Sequence, residues 1–193
     1  MHIDTIKKDS QMHITVHGTK TPLLGKKLSV GKEAPAARVT KLDGTQNVIG
    51  MIAPTTQLLI SIPSLKTEVC SLGAKKFNEL VKEFKKLTTY MVTTDDREFV
   101  EEYAQKESID AAEIVIDTNR NFAKKYGLLI SEGKLKERLA RAVYLVDQEG
   151  MIVYKELVPE IVDEVDYDAC IEAVRELANI KKKGHTHEEW MSA

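Results

Sequence analysis

The sequence predicts an α/β protein in which a central mixed sheet is flanked by helices. Two observations predict this fold class. Short apolar runs, typical of buried strands, alternate along the chain with longer segments whose apolar residues repeat at helical spacing. Two further strands then form a hairpin before the last helix, which adds antiparallel pairing to the sheet. With 193 residues, 42% of them hydrophobic, the chain is long enough to bury one core without disulfide support.

Two hairpins are predicted at the N-terminal end. Residues 12–25 alternate apolar and polar side chains around Gly18, which is typical of a short hairpin. Residues 32–50 are rich in turn formers and contain Asp43-Gly44, a favoured hairpin dipeptide. We expect the first of these hairpins to be an addition to the central sheet.

Three strands, each followed by a helix, are predicted in the middle of the chain. Pro63 ends the first strand because proline cannot donate a ladder hydrogen bond. The helix that follows carries one apolar face, made by Val69, Gly73, Phe77, Leu80, Val81 and Phe84. The strands are expected at 57–62, 89–94 and 113–117, and the later helices at 96–106 and 119–127.

A charged loop, a hairpin and a closing helix are predicted in the last third. The loop covers residues 128–141, the hairpin covers 142–158 with its turn at Glu149-Gly150, and the helix covers 166–180. A hairpin before the last helix narrows the fold to a thioredoxin-like layout. We expect a single domain over residues 1–193, with mobile tails at 1–11 and 181–193.

The composition argues against several classes of partner and location. A net charge of −2 does not suit a protein that binds nucleic acid or an acidic membrane surface. No apolar run is long enough to span a membrane, and the first residues lack the apolar core of a secretory signal. Two cysteines are too few for a disulfide scaffold, so we expect a cytoplasmic protein in a reducing compartment.

Cys70 stands where a buried strand gives way to a helix. If that helix begins near Glu68, Thr67 occupies its N-cap position and Cys70 lies in its first turn. The free backbone N–H groups and the positive end of the helix dipole there favour a thiolate, the nucleophilic form of cysteine. A lone cysteine is more often inert packing, so the local sequence alone leaves both interpretations open.

Pro63, Thr67 and Cys70 complete the pattern P-x-x-x-T-x-x-C. Three longer stretches accompany it, SIPSLKTEVCSLGAKKFNEL, LKERLARAVYLVDQEGMIVYKELVPEI and DYDACIEAV. In this motif and these three stretches the sequence resembles the peroxiredoxins, and among them it resembles the thiol peroxidase branch. The resemblance runs from about residue 12 to residue 177.

The resemblance implies a peroxidase that reduces hydrogen peroxide and alkyl hydroperoxides without a metal, haem or flavin. Cys70 would be the peroxidatic cysteine, whose thiolate becomes a sulfenic acid. Thr67 would hydrogen-bond the sulfur and the peroxide, Pro63 would shield the site, and Arg141 would hold the thiolate and polarise the O–O bond. The simpler alternatives are a helix cap for Thr67, a strand terminator for Pro63, and a surface cation for Arg141, as expected for Arg138.

The sequence departs from this branch at its second cysteine. Ala104 stands where thiol peroxidases carry the resolving cysteine. Cys170 is predicted to pack on the inner face of the last helix, and it could resolve Cys70 only if a rearrangement brought the two sulfurs together. We therefore expect a one-cysteine cycle in which an external thiol, small or protein-borne, reduces the sulfenic acid. Ala37 replaces a common phenylalanine, which is expected to loosen packing near the site.

The sequence also allows functions and sites other than the peroxidase. Two alternative functions fit the same residues, namely a peroxide sensor that passes oxidation to a partner protein and a scaffold without turnover. The family's members are commonly homodimers, so the resemblance also implies a dimer. No C-x-x-C or phosphate-cradling glycine loop is present. His185 and His187 have the spacing of metal ligands but no third ligand nearby, and Trp190 could anchor the tail. The remaining histidines show no partner in the sequence, namely His2, His13 and His17.

Overall fold

The computed structural model describes residues 12–183. Their strands are β1 (His13–Val16), β2 (Thr19–Leu24), β3 (Ala37–Thr40), β4 (Gln46–Ile49), β5 (Thr56–Ser61), β6 (Leu87–Thr93), β7 (Glu113–Ile116), β8 (Leu129–Ile130), β9 (Ala142–Val146) and β10 (Ile152–Leu157). Their helices are α1 (Glu68–Leu80), α2 (Arg97–Lys106), α3 (Asn121–Lys125) and α4 (Tyr167–Lys183), with a 3₁₀ turn at Val81–Glu83.

Seven strands form the central sheet in the order β10-β9-β5-β6-β7-β3-β4. The β5–β6 and β6–β7 pairs are parallel, because a helix connects the strands of each pair. The remaining pairs are antiparallel, including the β3–β4 and β9–β10 hairpins. The predicted mixed sheet and both of its hairpins are therefore confirmed.

The two faces of the sheet bury separate apolar clusters. Alternation along β5 sends Leu58 and Ile60 to one face and Leu59 to the other. The first face is covered by α1, α2 and α4, and the second by α3 and the β1–β2 hairpin. Helices thus flank both faces, as predicted. Cys70 lies on the first face, whereas Ala37 is fully buried on the second. The loosening of packing expected at Ala37 stays a prediction.

The N-terminal hairpin forms a second, three-stranded sheet in the order β1-β2-β8. Its turn is made by His17 and Gly18, whose φ angles of 48° and 80° fit a two-residue turn with two left-handed residues. The pairing of β2 with β8 contradicts the prediction that residues 128–141 are loop throughout. A strand of two residues is too short to produce a pattern, so only the contact with β2 reveals it.

Most strand boundaries lie within two residues of the predicted ones, but two helices are shorter than predicted. Helix α1 ends at Leu80, so Val81 lies in the 3₁₀ turn and Phe84 lies beyond it, and α3 covers only Asn121–Lys125. Helix α4 continues to Lys183, three residues beyond the expected end at 180.

None of the described helices is long and apolar enough to cross a membrane. His2, His185, His187 and Trp190 lie outside the described residues. The division into one domain with two mobile tails stays a prediction.

Candidate active site

The connection from β5 to α1 begins at the carboxyl edge of the parallel strands. Ile62 donates its N–H to the carbonyl oxygen of Val92, one residue before the end of β6, over 2.9 Å. Pro63 follows and is buried. Since β5 and β6 end at the same edge, residues after both strands converge there, as is usual for sites in α/β sheets.

Cys70 is the third residue of α1 and is only 2% exposed. The first backbone bond of the helix runs from the N–H of Ser71 to the carbonyl oxygen of Thr67, over 3.0 Å. The N–H groups before Ser71 lie at the positive end of the helix dipole, which stabilises an anion in the first turn. The sulfur therefore lies at the N-terminal end of the helix, close to backbone donors that have no partner within the helix.

Arg141, immediately before β9, turns its guanidinium to this sulfur. Its Nη2 lies 3.4 Å from Cys70 Sγ and donates to the carbonyl oxygen of Ile161 over 2.9 Å. The side chain is only 8% exposed, its Nε has no hydrogen-bond partner among the described residues, and no described carboxylate forms a salt bridge with it. A buried cation without a paired anion favours negative charge on the neighbouring sulfur. The surface-cation alternative for Arg141 is wrong.

Thr67 occupies the N-cap position of α1, as predicted, with extended backbone angles of −91° and 147°. Its hydroxyl does not cap the helix, however, because it donates to the carbonyl oxygen of Ser64 over 3.0 Å. The side chain is exposed, and none of the hydrogen bonds among the described residues joins it to Cys70. The local geometry therefore holds Thr67 in a tight turn and leaves the first N–H groups of α1 without a side-chain acceptor.

Asp95 fixes the connection between β5 and α1. The sequence analysis did not predict a role for this residue. Its carboxylate is fully buried and accepts hydrogen bonds from the Ser64 hydroxyl (2.8 Å) and the Leu65 N–H (2.7 Å). The hydroxyl of Thr93 (3.1 Å) and the Arg138 guanidinium (2.8 Å) donate to it as well. One carboxylate thus ties the end of β6 to the turn before Cys70.

Arg138 is not the surface cation that the sequence suggested. Its side chain is one-third exposed, and its guanidinium forms a salt bridge with the buried Asp95. The signal that could have found this pair is the acidic residue directly after the strand predicted at 89–94, since polar groups at the carboxyl ends of parallel strands converge.

Cys170 lies on the inner face of α4, as predicted, and is fully buried. Burial raises the pKa of its thiol from 9.0 to about 12, and the negative charges of Glu156 and Asp166 add to this shift. Neither cysteine forms a disulfide. A thiol with so high a pKa stays protonated and unreactive at neutral pH.

Ala104 is half-buried on α2 and borders a cavity of about 300 Å³. The neighbouring Tyr103 is linked to Ser71, one residue after Cys70, by a 3.1 Å hydrogen bond between their hydroxyl groups. The position of the family's second cysteine is therefore occupied by a methyl group with free space beside it.

The site contains one nucleophile, one unpaired buried cation and a set of backbone donors. No three His, Cys, Asp or Glu side chains of the described residues lie together as metal ligands would, and His13 and His17 are exposed. The arrangement suits attack by a thiolate on an electrophile whose leaving group gains negative charge, because Arg141 lies beside the reacting sulfur.

Comparison with known proteins identifies the family. The model of the Redoxin family matches residues 29–171. The thiol peroxidase of Aquifex aeolicus is 35% identical over 164 residues, which cover 85% of this chain and 97% of that protein. The thiol peroxidase of Campylobacter jejuni is 34% identical over 154 residues, which cover 79% and 87%.

Solved structures agree with these relatives. A peroxiredoxin-like protein from Aquifex aeolicus superposes with a TM-score of 0.83 at 35% identity, over 86% of this chain and 96% of that one. A thiol peroxidase from Chromobacterium violaceum superposes with a TM-score of 0.78 at 18% identity, which supports the thioredoxin-like fold alone. From its sequence relatives and its fold, the chain belongs to the peroxiredoxin superfamily, in the thiol peroxidase branch.

Proposed function

We propose that this thiol peroxidase reduces hydrogen peroxide and alkyl hydroperoxides at Cys70 and that an external thiol completes its cycle. The observation that carries the proposal is the 3.4 Å contact between Arg141 Nη2 and Cys70 Sγ in the first turn of α1. A helix end and an unpaired guanidinium act together on one sulfur, and both favour the thiolate that attacks peroxides.

The oxidation step forms one bond and breaks one. The Cys70 thiolate attacks the terminal oxygen of ROOH, the O–O bond breaks, and RO⁻ leaves and takes a proton to give ROH. The sulfur is oxidised to a sulfenic acid, and the peroxide is reduced. Arg141 assists by stabilising the negative charge that develops on the departing oxygen.

Thr67 and Pro63 support this step in different ways. The Thr67 hydroxyl directs its proton to Ser64, so its oxygen retains lone pairs that can accept a hydrogen bond from the peroxide. Pro63 is buried and cannot donate to the sheet, which fixes the course of the chain before the catalytic turn.

The second half of the cycle requires a thiol from outside. Cys170 keeps its proton because of burial and nearby acids, and Ala104 offers no sulfur. An external RSH attacks the sulfenic acid to give a Cys70–S–SR mixed disulfide and water, and a second thiol releases Cys70 as RSSR forms. The space beside Cys70 is about 10 Å³, room for roughly one water molecule, so the peroxide and the thiol reductant both reach the sulfur only after the first turn of α1 opens.

The cellular setting follows from the family resemblance and the composition. We propose a cytoplasmic homodimer that acts on a soluble peroxide and a reduced thiol, with no nucleic-acid or membrane partner. Size-exclusion chromatography with light scattering measures the oligomeric state.

Rapid-quench oxidation followed by intact-mass analysis tests the proposed cycle. One equivalent of hydrogen peroxide should add one oxygen to Cys70 within a single turnover, and an added small thiol should convert that species to a mixed disulfide and then to the reduced protein. A Cys70–Cys170 disulfide would contradict the one-cysteine cycle. Fast oxidation without multiple turnover, whatever thiol is supplied, would instead indicate a peroxide sensor.

An Ala104→Cys variant tests the missing resolving thiol directly. The free space beside Ala104 accommodates the added sulfur. We expect this variant to form an internal disulfide with Cys70 after peroxide treatment, which the parent protein does not form. The control is Ala111→Cys, which adds a half-buried cysteine elsewhere on the same face of the sheet. Equal disulfide formation in both variants would contradict a specific resolving position at residue 104.

A further inference from the structure

Glu160 joins the N-terminal hairpin to the segment between β10 and α4. One of its carboxylate oxygens accepts hydrogen bonds from the Thr15 hydroxyl (2.7 Å) and the Gly18 N–H (2.9 Å). The other accepts from the His17 N–H over 3.0 Å. These donors hold the pKa of the Glu160 carboxyl at about 2, well below its usual value, with the Thr15 hydroxyl as the first cause. The turn of the hairpin therefore binds a carboxylate that stays ionised.

The backbone pairs on both sides of this carboxylate. The N–H of Thr15 donates to the carbonyl oxygen of Pro159 (2.7 Å), and the N–H of Ile161 donates to the carbonyl oxygen of Thr15 (2.9 Å). Residues 159–161 thus lie against β1 as a short parallel bridge centred on Glu160. Their course depends on the docked hairpin.

This bridge ends at the arginine of the active site. The carbonyl oxygen of Ile161 accepts the 2.9 Å hydrogen bond from Arg141 Nη2, the same nitrogen that lies 3.4 Å from Cys70 Sγ. Among the described residues, Ile161 and Cys70 provide the only hydrogen-bond partners of this guanidinium. Any shift of Ile161 therefore changes where the Arg141 charge lies relative to the sulfur.

We propose that Glu160 is a positioning residue for peroxide reduction: by holding the N-terminal hairpin on residues 159–161, it fixes the Ile161 carbonyl and through it the Arg141 guanidinium. The hairpin then helps to position Arg141, although none of its residues touches Cys70 in the described structure. This inference rests on the proposed role of Arg141 in the oxidation of Cys70.

The test measures the second-order rate constant for oxidation of Cys70 by hydrogen peroxide, using rapid quench and alkylation of the remaining thiol. Glu160→Ala should lower this constant about tenfold, because a small displacement of a catalytic charge has a large effect on rate. Glu160→Gln retains one carbonyl oxygen and should lose less. The matched control is Asp43→Ala, since Asp43 binds Thr45 in the turn of the β3–β4 hairpin in the same manner (2.6 and 2.9 Å). It should change the constant less than twofold.

A double-mutant cycle separates positioning from general loss of structure. In an Arg141→Ala background, Glu160→Ala should cause no further loss, because its effect passes through the guanidinium. An equal loss in both backgrounds, or an equal loss in Asp43→Ala, would overturn the inference. If Glu160→Ala does not fold, Thr15→Val replaces it, since that change removes the hydroxyl donor and keeps the backbone pairing, and the same criteria apply.

Failure of the underlying function has a different signature. A normal oxidation rate in Arg141→Ala would overturn the role of Arg141 and this inference together. A slow Arg141→Ala beside a normal Glu160→Ala would overturn the inference alone.

Discussion

Helices α1 and α4 both begin beside a buried cysteine on the same face of the sheet, but their N-terminal ends differ in charge. Cys70 is the third residue of α1 and Cys170 the fourth of α4. The two side chains are 2% and 0% exposed, and both belong to one apolar cluster. Burial and position along a helix therefore do not distinguish the two thiols.

The caps of the two helices differ in charge. Thr67 is neutral and turns its hydroxyl to Ser64, so the first N–H groups of α1 remain available to an anion. Asp166 caps α4 by accepting the Ala169 N–H over 2.9 Å, and its negative charge helps to raise the pKa of Cys170. Arg141 contacts the sulfur of Cys70, whereas the charges that act on Cys170 are negative, so we expect Cys70 to be the thiol that reacts.

Removal of each sulfur in turn tests most directly whether the two thiols differ in reactivity. Cys70→Ser should lower peroxide consumption by about 10³-fold or more, because serine offers no thiolate. Cys170→Ser should consume peroxide within about twofold of the parent rate, because a thiol that stays protonated takes no part in the reaction. Steady-state peroxide loss with an excess of small thiol measures both. Comparable losses in the two variants would mean that both sulfurs take part in the cycle.

Removal of the cation near Cys70 should have the next largest effect. Arg141→Ala should slow oxidation of Cys70 by about 10²- to 10³-fold, the usual result of losing a donor aimed at developing negative charge. Rapid-quench oxidation at pH 7 measures the change. Arg175→Ala is the control, because Arg175 is half-exposed on α4 and pairs with Glu83 away from the site. If oxidation slowed equally in the control, general loss of positive charge would explain the effect.

A negative charge at the cap of α1 tests whether the cap affects the reactivity of Cys70. Thr67→Asp places a carboxylate at the start of α1, as Asp166 does at the start of α4. We expect iodoacetamide to alkylate Cys70 about thirtyfold more slowly, which corresponds to ~2 kcal/mol of charge interaction at a helix end. Thr67→Ser keeps the hydroxyl and should react at nearly the parent rate. An unchanged rate in Thr67→Asp would show that the cap has no influence on the sulfur.

Loss of the buried carboxylate near Cys70 should reduce stability more than rate. Asp95→Asn leaves Arg138 without its anion and weakens the bonds to Ser64 and Leu65, so we expect a loss of about 3 kcal/mol in unfolding free energy. Oxidation of Cys70 should slow less than tenfold, since Asp95 acts only through the turn. Urea unfolding measures the first quantity. Asp96→Asn, whose side chain is exposed, is the control and should change stability by less than about 0.5 kcal/mol.

The sequence predicted what depends on local patterns. The order of strands and helices follows from the repeat of apolar residues, and Pro63, Thr67 and Cys70 lie close enough in the chain to form a motif. Arg141 was found only because a family pattern includes it, since 71 positions separate it from Cys70.

Contacts between distant residues could not be predicted in the same way. Glu160 binds Thr15 across 145 positions, and Asp95 binds Ser64 across 31. Each is an ordinary acidic residue in the sequence, and only the folded backbone brings its donors together. The same holds for β8, whose two residues become a strand only through contact with β2.

Removal of the Cys170 thiol tests whether its pKa is raised in the folded protein, and it should have the smallest effect of the changes considered. In a Cys70→Ser background, Cys170→Ala should lower the unfolding free energy at pH 8 by about 1 kcal/mol, since it removes a fully buried sulfur. The folded pKa of about 12 lies above the ordinary 9.0, so the protonated thiol stabilises the fold fully below pH 9 and loses this contribution as the pH rises toward 12. The stability difference between the two proteins should therefore shrink as the pH rises from 8 and reverse its sign by pH 10.5 in urea unfolding, because the buried tyrosines contribute equally to both. A constant difference over that range would mean that Cys170 has an ordinary pKa in the fold, and its surroundings would then give no reason to expect an unreactive thiol.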